Sequence, residues 1–189
     1  RLQLYVKNIL NEARMEDGRF RIEKRPLVLR ELAAGAADSV AELLAQKEIK
    51  LTTDAPEDPV LVEADREALA LVISNLLGNA VKYTRQGGSI RIRIEPHGEG
   101  ASRTVVFAVE DSGIGISLED MEKITAGFYR AAEGRAEADG FGLGLRISNE
   151  LLALHGSRLE IASEKGKGSR FYFELPARPQ GVDMAPRML

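Results

Sequence analysis

Two amides and an ammonium, those of Asn75, Asn79 and Lys82, recur at intervals of four and three in the run Asn75-Leu76-Leu77-Gly78-Asn79-Ala80-Val81-Lys82-Tyr83-Thr84. At roughly 100° per residue they share one stripe of a helix. That stripe lies about a quarter-turn from the apolar one set by Leu69, Val72, Ile73, Leu76, Leu77 and Ala80. Polar groups along the rim of a buried face are either satisfied inside the protein or offered to a ligand. Internal bonding is the ordinary outcome for a lone Asn. The full run points further, because amide oxygens suit a hard cation and an ammonium suits the phosphates that accompany one.

A second candidate is Asp111, which closes the apolar stretch Thr104–Val109 and is followed by Gly113 and Gly115. An Asp-x-Gly is commonly just a turn. At the end of a central strand, however, a carboxylate is partly desolvated and must find a donor. The exocyclic amine of adenine is such a donor, and the two glycines would let a flat base approach the backbone. The third candidate, Gly140-x-Gly-x-Gly, stands before a helical pattern and would turn backbone N–H groups and a positive helix end toward anionic oxygens. It lacks the spacing and the Lys-Ser/Thr of a Walker A loop. It is equally readable as a hinge. The histidines carry no such pattern: His97 falls in an expected hairpin loop, and His155 sits where it would meet a helix C-terminus.

These groups need elements to hold them. Leu2, Val6, Ile9 and Ala13 describe a coiled-coil seam, a helical hairpin or a plain amphipathic helix, ended by Glu16-Asp17-Gly18. Arg19–Leu29 predicts a short edge strand limited by Pro26, and Arg30–Gln46 a helix. Short strands are expected at Ile49–Thr52 and Val60–Val62, with Asp65 capping the helix that carries the amides. Ile90–Ile94 and Thr104–Val109 predict a hairpin whose second strand is central, joined by a loop containing Pro96, His97, Gly98 and Gly100. Ser117–Asp139 reads as a long aperiodic loop, a functional lid or a disordered segment, followed by a helix to Leu154 with Gly156 as its stop. Strands at Ser157–Ala162 and Ser169–Leu175 flank Lys165-Gly166-Lys167-Gly168, and the chain beyond Pro176 is expected to be a disordered tail.

Composition bounds the class. The 189 residues, 44% apolar and 29% charged, fit one sizeable soluble core with a small appendage. A net charge of −3 with scattered basic residues gives no pull toward nucleic acid. There is no cysteine, hence no disulfide framework or thiolate metal site. No apolar run approaches the roughly 18 residues of a membrane span. The chain opens at Arg1 inside a helical pattern, which reads as a fragment of a longer protein.

In order along the chain, these features resemble the ATP-binding catalytic domain of two-component sensor histidine kinases, within the superfamily of gyrase, chaperone, histidine kinase and mismatch-repair ATPases. Asn75–Thr84 looks like the N box, Asp111–Ile116 the G1 box, Phe128-Tyr129-Arg130 the F box, Gly140–Leu145 the G2 box and Gly166–Ser169 the last glycine turn. The resemblance implies an α/β (α+β) two-layer sandwich, a mixed sheet with helices on one face and a nucleotide lid. It divides the chain into the end of a second dimerisation helix and linker (1–18), a catalytic domain (19–176) and a tail (177–189). It implies ATP and Mg²⁺, with Asn79 ligating the metal, Lys82 and Arg130 on the phosphates, and Tyr83 near the base. Asp111 would accept from the adenine amine beside Gly113, Gly115, Ile116 and Ser169, and Gly140, Gly142, Leu143, Gly144 and Leu145 would form the phosphate loop. The F box departs from the family at Thr125, where another Phe is usual, and at Gly127, where Pro is.

Hydrolysing members of the superfamily carry a Glu four residues before the metal-binding Asn. Here that position is Asn75, which cannot act as a carboxylate base. Transfer to a protein side chain is therefore implied, with Asn75, Lys82 and Arg130 as the catalytic set. The implied partners are a dimerisation domain bearing the acceptor histidine, a response-regulator receiver domain and a second copy of the parent protein, in the cytoplasm. A superfamily ATPase, a serine-directed kinase or a degenerate regulatory module remain the alternatives.

Overall fold

The computed structural model describes residues 22–125 and 142–178. The expected terminal helix (1–18), the F-box residues Phe128, Tyr129 and Arg130, and Gly140 lie outside them. The elements run β1 (Arg25–Val28), α1 (Leu29–Gln46), β2 (Lys50–Asp54), β3 (Leu61–Ala64), α2 (Arg66–Tyr83), β4 (Ser89–His97), a 3₁₀ turn (Gly100–Ser102), β5 (Thr104–Asp111), α3 (Leu118–Thr125), α4 (Gly142–Leu154), β6 (Glu160–Glu164) and β7 (Gly168–Pro176). Five strands form a mixed sheet in the order β2-β4-β5-β7-β6, with β5 at its centre as its apolar run predicts. Only the β2/β4 pair is parallel.

Alternation along the strands separates two faces. Ile90, Ile92 and Ile94, then Val105, Phe107 and Val109, then Phe171, Phe173 and Leu175 are all buried. At the middle of this face the rings of Phe107 and Phe173 stack at 5.3 Å. The helices cover it: α2 packs on β5 and is flanked by α1 and α4. The opposite face carries a half-exposed charge network. There Arg170 donates to Glu110 at 2.7 Å and to Glu95 at 2.8 Å, and Arg93 pairs with Glu95 at 2.6 Å. The two-layer architecture implied by the resemblance is the one observed.

Four details differ from expectation. First, β4 continues through Pro96 and His97, which pair with Val105 and Thr104. Its neighbour β2 ends opposite Arg93, so Pro96 removes no donor that a partner strand requires. Second, β6 starts at Glu160 rather than Ser157. The Ser157 amide is bonded to the Leu152 carbonyl (2.9 Å) as part of the α4 C-terminus, where Gly156 has φ +76°. Third, the start of the supposed lid is helical. The Ser117 hydroxyl accepts from the Asp120 amide and donates to its carboxylate, so Ser117-x-x-Asp120 opens α3. Fourth, Ala177 and Arg178, just beyond Pro176, are tied to the ribbon. Ala177 is buried and bridges to Val62, and the Arg178 amide donates to Leu61.

Candidate nucleotide-binding site

Helix α2 brings Asn79 and Tyr83 to the site and is fixed at both ends. At its start Asp65 accepts from the amides of Ala68 (2.9 Å) and Glu23 (2.8 Å). Partial burial pushes the Asp65 carboxyl upward, but the amides of Ala68, Glu23 and Glu67 outweigh it and hold the group below the usual carboxylate range. The Asp65 amide in turn donates to Nε2 of His155, so Nδ1 of that ring donates to the Leu151 carbonyl at 2.7 Å. His155 thus meets its own helix end, as the sequence suggests, and also ties α4 to the cap of α2.

At the other end the helix must satisfy its last carbonyls. The buried Thr84 hydroxyl takes Ala80. The ammonium of Lys47 reaches the carbonyls of Val81 (2.7 Å), Thr84 (2.7 Å) and Lys82 (3.1 Å). The carbonyl of Tyr83 accepts from the Ile114 amide at 3.3 Å, which joins α2 to the loop after β5.

That loop shapes a pocket. Asp111 ends β5, where its Oδ1 accepts from the Gly113 amide at 2.8 Å. Burial pushes its carboxyl above the usual range, against the lowering effect of the Gly113 and Ser169 amides. Among the described residues no cation pairs with it. Asn79, Tyr83 and Ser169 add polar groups to the same pocket, and Ile114, Ile116, Ile124, Leu145 and Phe171 form apolar walls. The cavity is narrow, about 30 Å³, and opens to solvent. A concave apolar site with a few converging polar groups is the usual form of a small-molecule site.

The glycines of this loop also serve its packing. A side chain at Gly113 would crowd the Tyr83 carbonyl and the Asp111 carboxylate, and at Gly115 (φ +63°) it would overlap the Glu164 carbonyl. Both positions are small enough for backbone to pack on backbone, and Gly115 also lines the pocket. The closure is completed by Gly166 donating to Ile114 (2.7 Å) and by Ile116 donating to the Ser163 hydroxyl (2.9 Å).

The structure gathers Asn79, Tyr83, Asp111, Gly115, Ile116, Leu145 and Ser169, all expected from sequence, around one pocket. Lys82 is exposed at its edge, with Nζ 5.2 Å from the Tyr83 ring centre. Gly142 and Leu143 fall in the first turn of α4. Asn75 is placed otherwise. It is buried and does not line the pocket, and its amide donates to the Gly144 carbonyl and to Ser148 Oγ, both at 3.2 Å. Internal satisfaction, the ordinary fate of a helical Asn, applies to it. The sequence reading missed Ile124, Phe171, Ser163 and Lys47. The first was detectable from the Ser117-x-x-Asp120 cap and the second from the alternation of β7, whereas nothing local marks the other two.

Residues 64–179 match the family of histidine kinase-, DNA gyrase B- and HSP90-like ATPases, and the chain belongs to that family. It is 32% identical over 171 residues to the adaptive-response sensory kinase SasA of Crocosphaera subtropica, aligning 90% of this chain with 44% of that one. It is 31% identical over 174 residues to the non-motile and phage-resistance protein of Caulobacter vibrioides, 92% of this chain against 20% of that one. The chain therefore spans less than half the length of these relatives. Among solved structures, full-length ShkA in complex with AMPPNP superposes with a TM-score of 0.76 at 26% identity, covering 96% of this chain and 36% of that one. The nucleotide-free catalytic domain of the histidine kinase ThkA gives 0.70 at 28% identity, covering 84% of this chain and 99% of that domain. The fold and the relatives make this a catalytic domain of the histidine-kinase type.

Proposed function

We propose that this chain binds ATP in the pocket at Asp111 and transfers the γ-phosphoryl group to a histidine on a dimerisation domain, for relay to an aspartate of a response-regulator receiver domain. The observation that carries the reading is the placement of Asp111: a half-buried carboxylate at the end of the central strand, facing an apolar slot. Such a group calls for an N–H donor on a flat ligand, and the adenine amine fits. AMPPNP in the ShkA complex is an ATP analogue and supports a nucleotide of this kind. Asn79, half-buried across the same pocket, then faces the phosphate side, with Lys82 at the rim.

The donor set also fits Mg²⁺. Among the described residues no three carboxylates or imidazoles gather to hold a metal alone. Mg²⁺ on a nucleotide needs only one or two protein oxygens beside the phosphates, and Asn79 Oδ1 would supply one. Bound there, the ion would neutralise charge on the transferring group. Arg130 and the amides of Gly140, Gly142 and Gly144 complete the phosphate contacts in this proposal. Asn75 supports transfer over hydrolysis, because an amide already bonded to α4 cannot serve as a general base for water. The parent protein acts as a homodimer in the cytoplasm, residues 1–18 being the end of its dimerisation helix.

The test has two stages. Calorimetry with ATP and Mg²⁺ is expected to show one site per chain. Adding a separately produced dimerisation domain and labelled ATP should give an acid-labile, base-stable label on that domain. Acid-stable label, or steady phosphate release by the chain alone, would overturn the transfer reading.

A further inference from the structure

Behind the pocket wall, on β6, stands Ser163, a residue with three partners. Its oxygen accepts from the Ile116 amide (2.9 Å), its proton goes to the Gly168 carbonyl (2.8 Å), and Ser169 Oγ lies 3.0 Å away. A hydroxyl has one proton and two acceptor positions. An amide N–H can only donate and a carbonyl can only accept, so two of the three roles are fixed. What remains on Ser163 is one lone pair, and it faces Ser169. The Ser169 proton must therefore point back at Ser163, away from the pocket that Ser169 lines together with Asp111.

We infer that Ser163 is a positioning residue that sets base selectivity: by holding the Ser169 proton it makes the Asp111–Ser169 side of the pocket purely accepting. This rests on the proposed nucleotide site and names what that site selects. A purine carrying a 6-amine presents two N–H groups to that wall. A purine carrying a 6-oxo group presents lone pairs at that position, and its one edge donor, N1–H, lies beside it; with the base seated by its position-6 group, lone pairs meet lone pairs. Sites built around fixed hydrogen-bonding groups discriminate strongly because the wrong partner leaves buried groups unpaired.

The experiment measures affinity for ATP and for inosine triphosphate, both with Mg²⁺, in the unmutated chain and in Ser163→Ala, Ser163→Thr and Ser169→Ala. The unmutated chain should prefer ATP by about tenfold or more. Ser163→Ala frees the Ser169 hydroxyl to donate, so the ratio should shrink by about threefold or more. Ser163→Thr keeps the proton order and should keep the ratio. Ser169→Ala removes the accepting oxygen and should shrink the ratio even if Ser163→Ala does not fold. An unchanged ratio in both alanine variants, or an equal loss for both nucleotides in Ser163→Ala, overturns the inference and leaves Ser163 a structural prop. Binding of ATP without preference in the unmutated chain overturns it too, while leaving the nucleotide site standing. Binding of neither nucleotide overturns the site itself and the inference with it.

Discussion

Asp111 illustrates a group whose folded environment works against its charge. Because burial holds its carboxyl above the ordinary range, the folded chain takes up this proton more readily than the unfolded one. Its contribution to stability is complete below the ordinary carboxyl value and is lost as pH rises through the folded value. The unmutated chain should therefore lose stability relative to Asp111→Asn as pH climbs from the acid range toward neutrality, read by denaturant unfolding of both at several pH values. The same substitution should weaken ATP binding about ten- to a hundredfold by calorimetry, since a charge-assisted hydrogen bond is lost. Asp65 behaves oppositely. Its carboxyl is held low by amides, so its contribution is present above the ordinary carboxyl value and disappears as pH falls through the folded one. Asp65→Ala should cost about 1 kcal/mol or more at neutral pH, and little at the acid end of the titration. Both aspartates were legible in the sequence because their roles are local: one precedes an amphipathic helix, the other ends an apolar strand. The place of Asn75 was not, since what it bonds, Gly144 and Ser148, lies on a helix about seventy positions further on.

At the scale of elements, α2 is a rod whose functional half depends on a cation borrowed from α1. Lys47 is the C-cap residue of α1, and its ammonium closes the carbonyls of Val81, Lys82 and Thr84 at the end of α2. The Tyr83 carbonyl between them anchors the loop that follows Asp111. Lys47→Met keeps the aliphatic stem but leaves those carbonyls without a donor. It should lower stability by about 1–3 kcal/mol, measured by denaturant unfolding. ATP affinity should fall as well, by a few-fold, because the end of the helix and the loop would loosen together. Lys47→Arg should recover part of both. Unchanged affinity alongside lowered stability would show that the cap supports the fold but not the site. Helices α1, α2 and α4 and strands β5 and β7 were readable because their apolar periods are long enough to identify. α3 was missed because its period is too short to stand out against the Ala- and Glu-rich stretch behind it. The extension of β4 through Pro96 was missed because it depends on where β2 stops.

For the whole molecule, what the sequence hides is which strand lies beside which. β2 and β3 are neighbours in the chain, yet β2 joins the large sheet parallel to β4, whereas β3 pairs with β1 in a separate ribbon. Alternation tells a strand which face to bury but not which edge to seek. The same ignorance placed the end of the domain too early, because nothing in Ala177 or Arg178 announces a partner more than a hundred residues upstream. In the structure these two residues stitch the sheets together. The Ala177 amide donates to the carbonyl of Arg103, just before β5 of the large sheet, while Ala177 bridges to Val62 in the ribbon. The Arg178 amide donates to Leu61 at 2.8 Å, and its guanidinium pairs with the partly exposed Glu63, an ion pair that contributes little. Two backbone hydrogen bonds and one buried methyl should together be worth about 2 kcal/mol. Chains ending at Pro176 and at Arg178 should therefore differ by that amount in unfolding free energy. ATP affinity should differ far less, because neither residue touches the pocket. Equal stability of the two would mean that the ribbon and the sheet are held together by α1 and α2 alone, and that the domain does end where its last apolar alternation does.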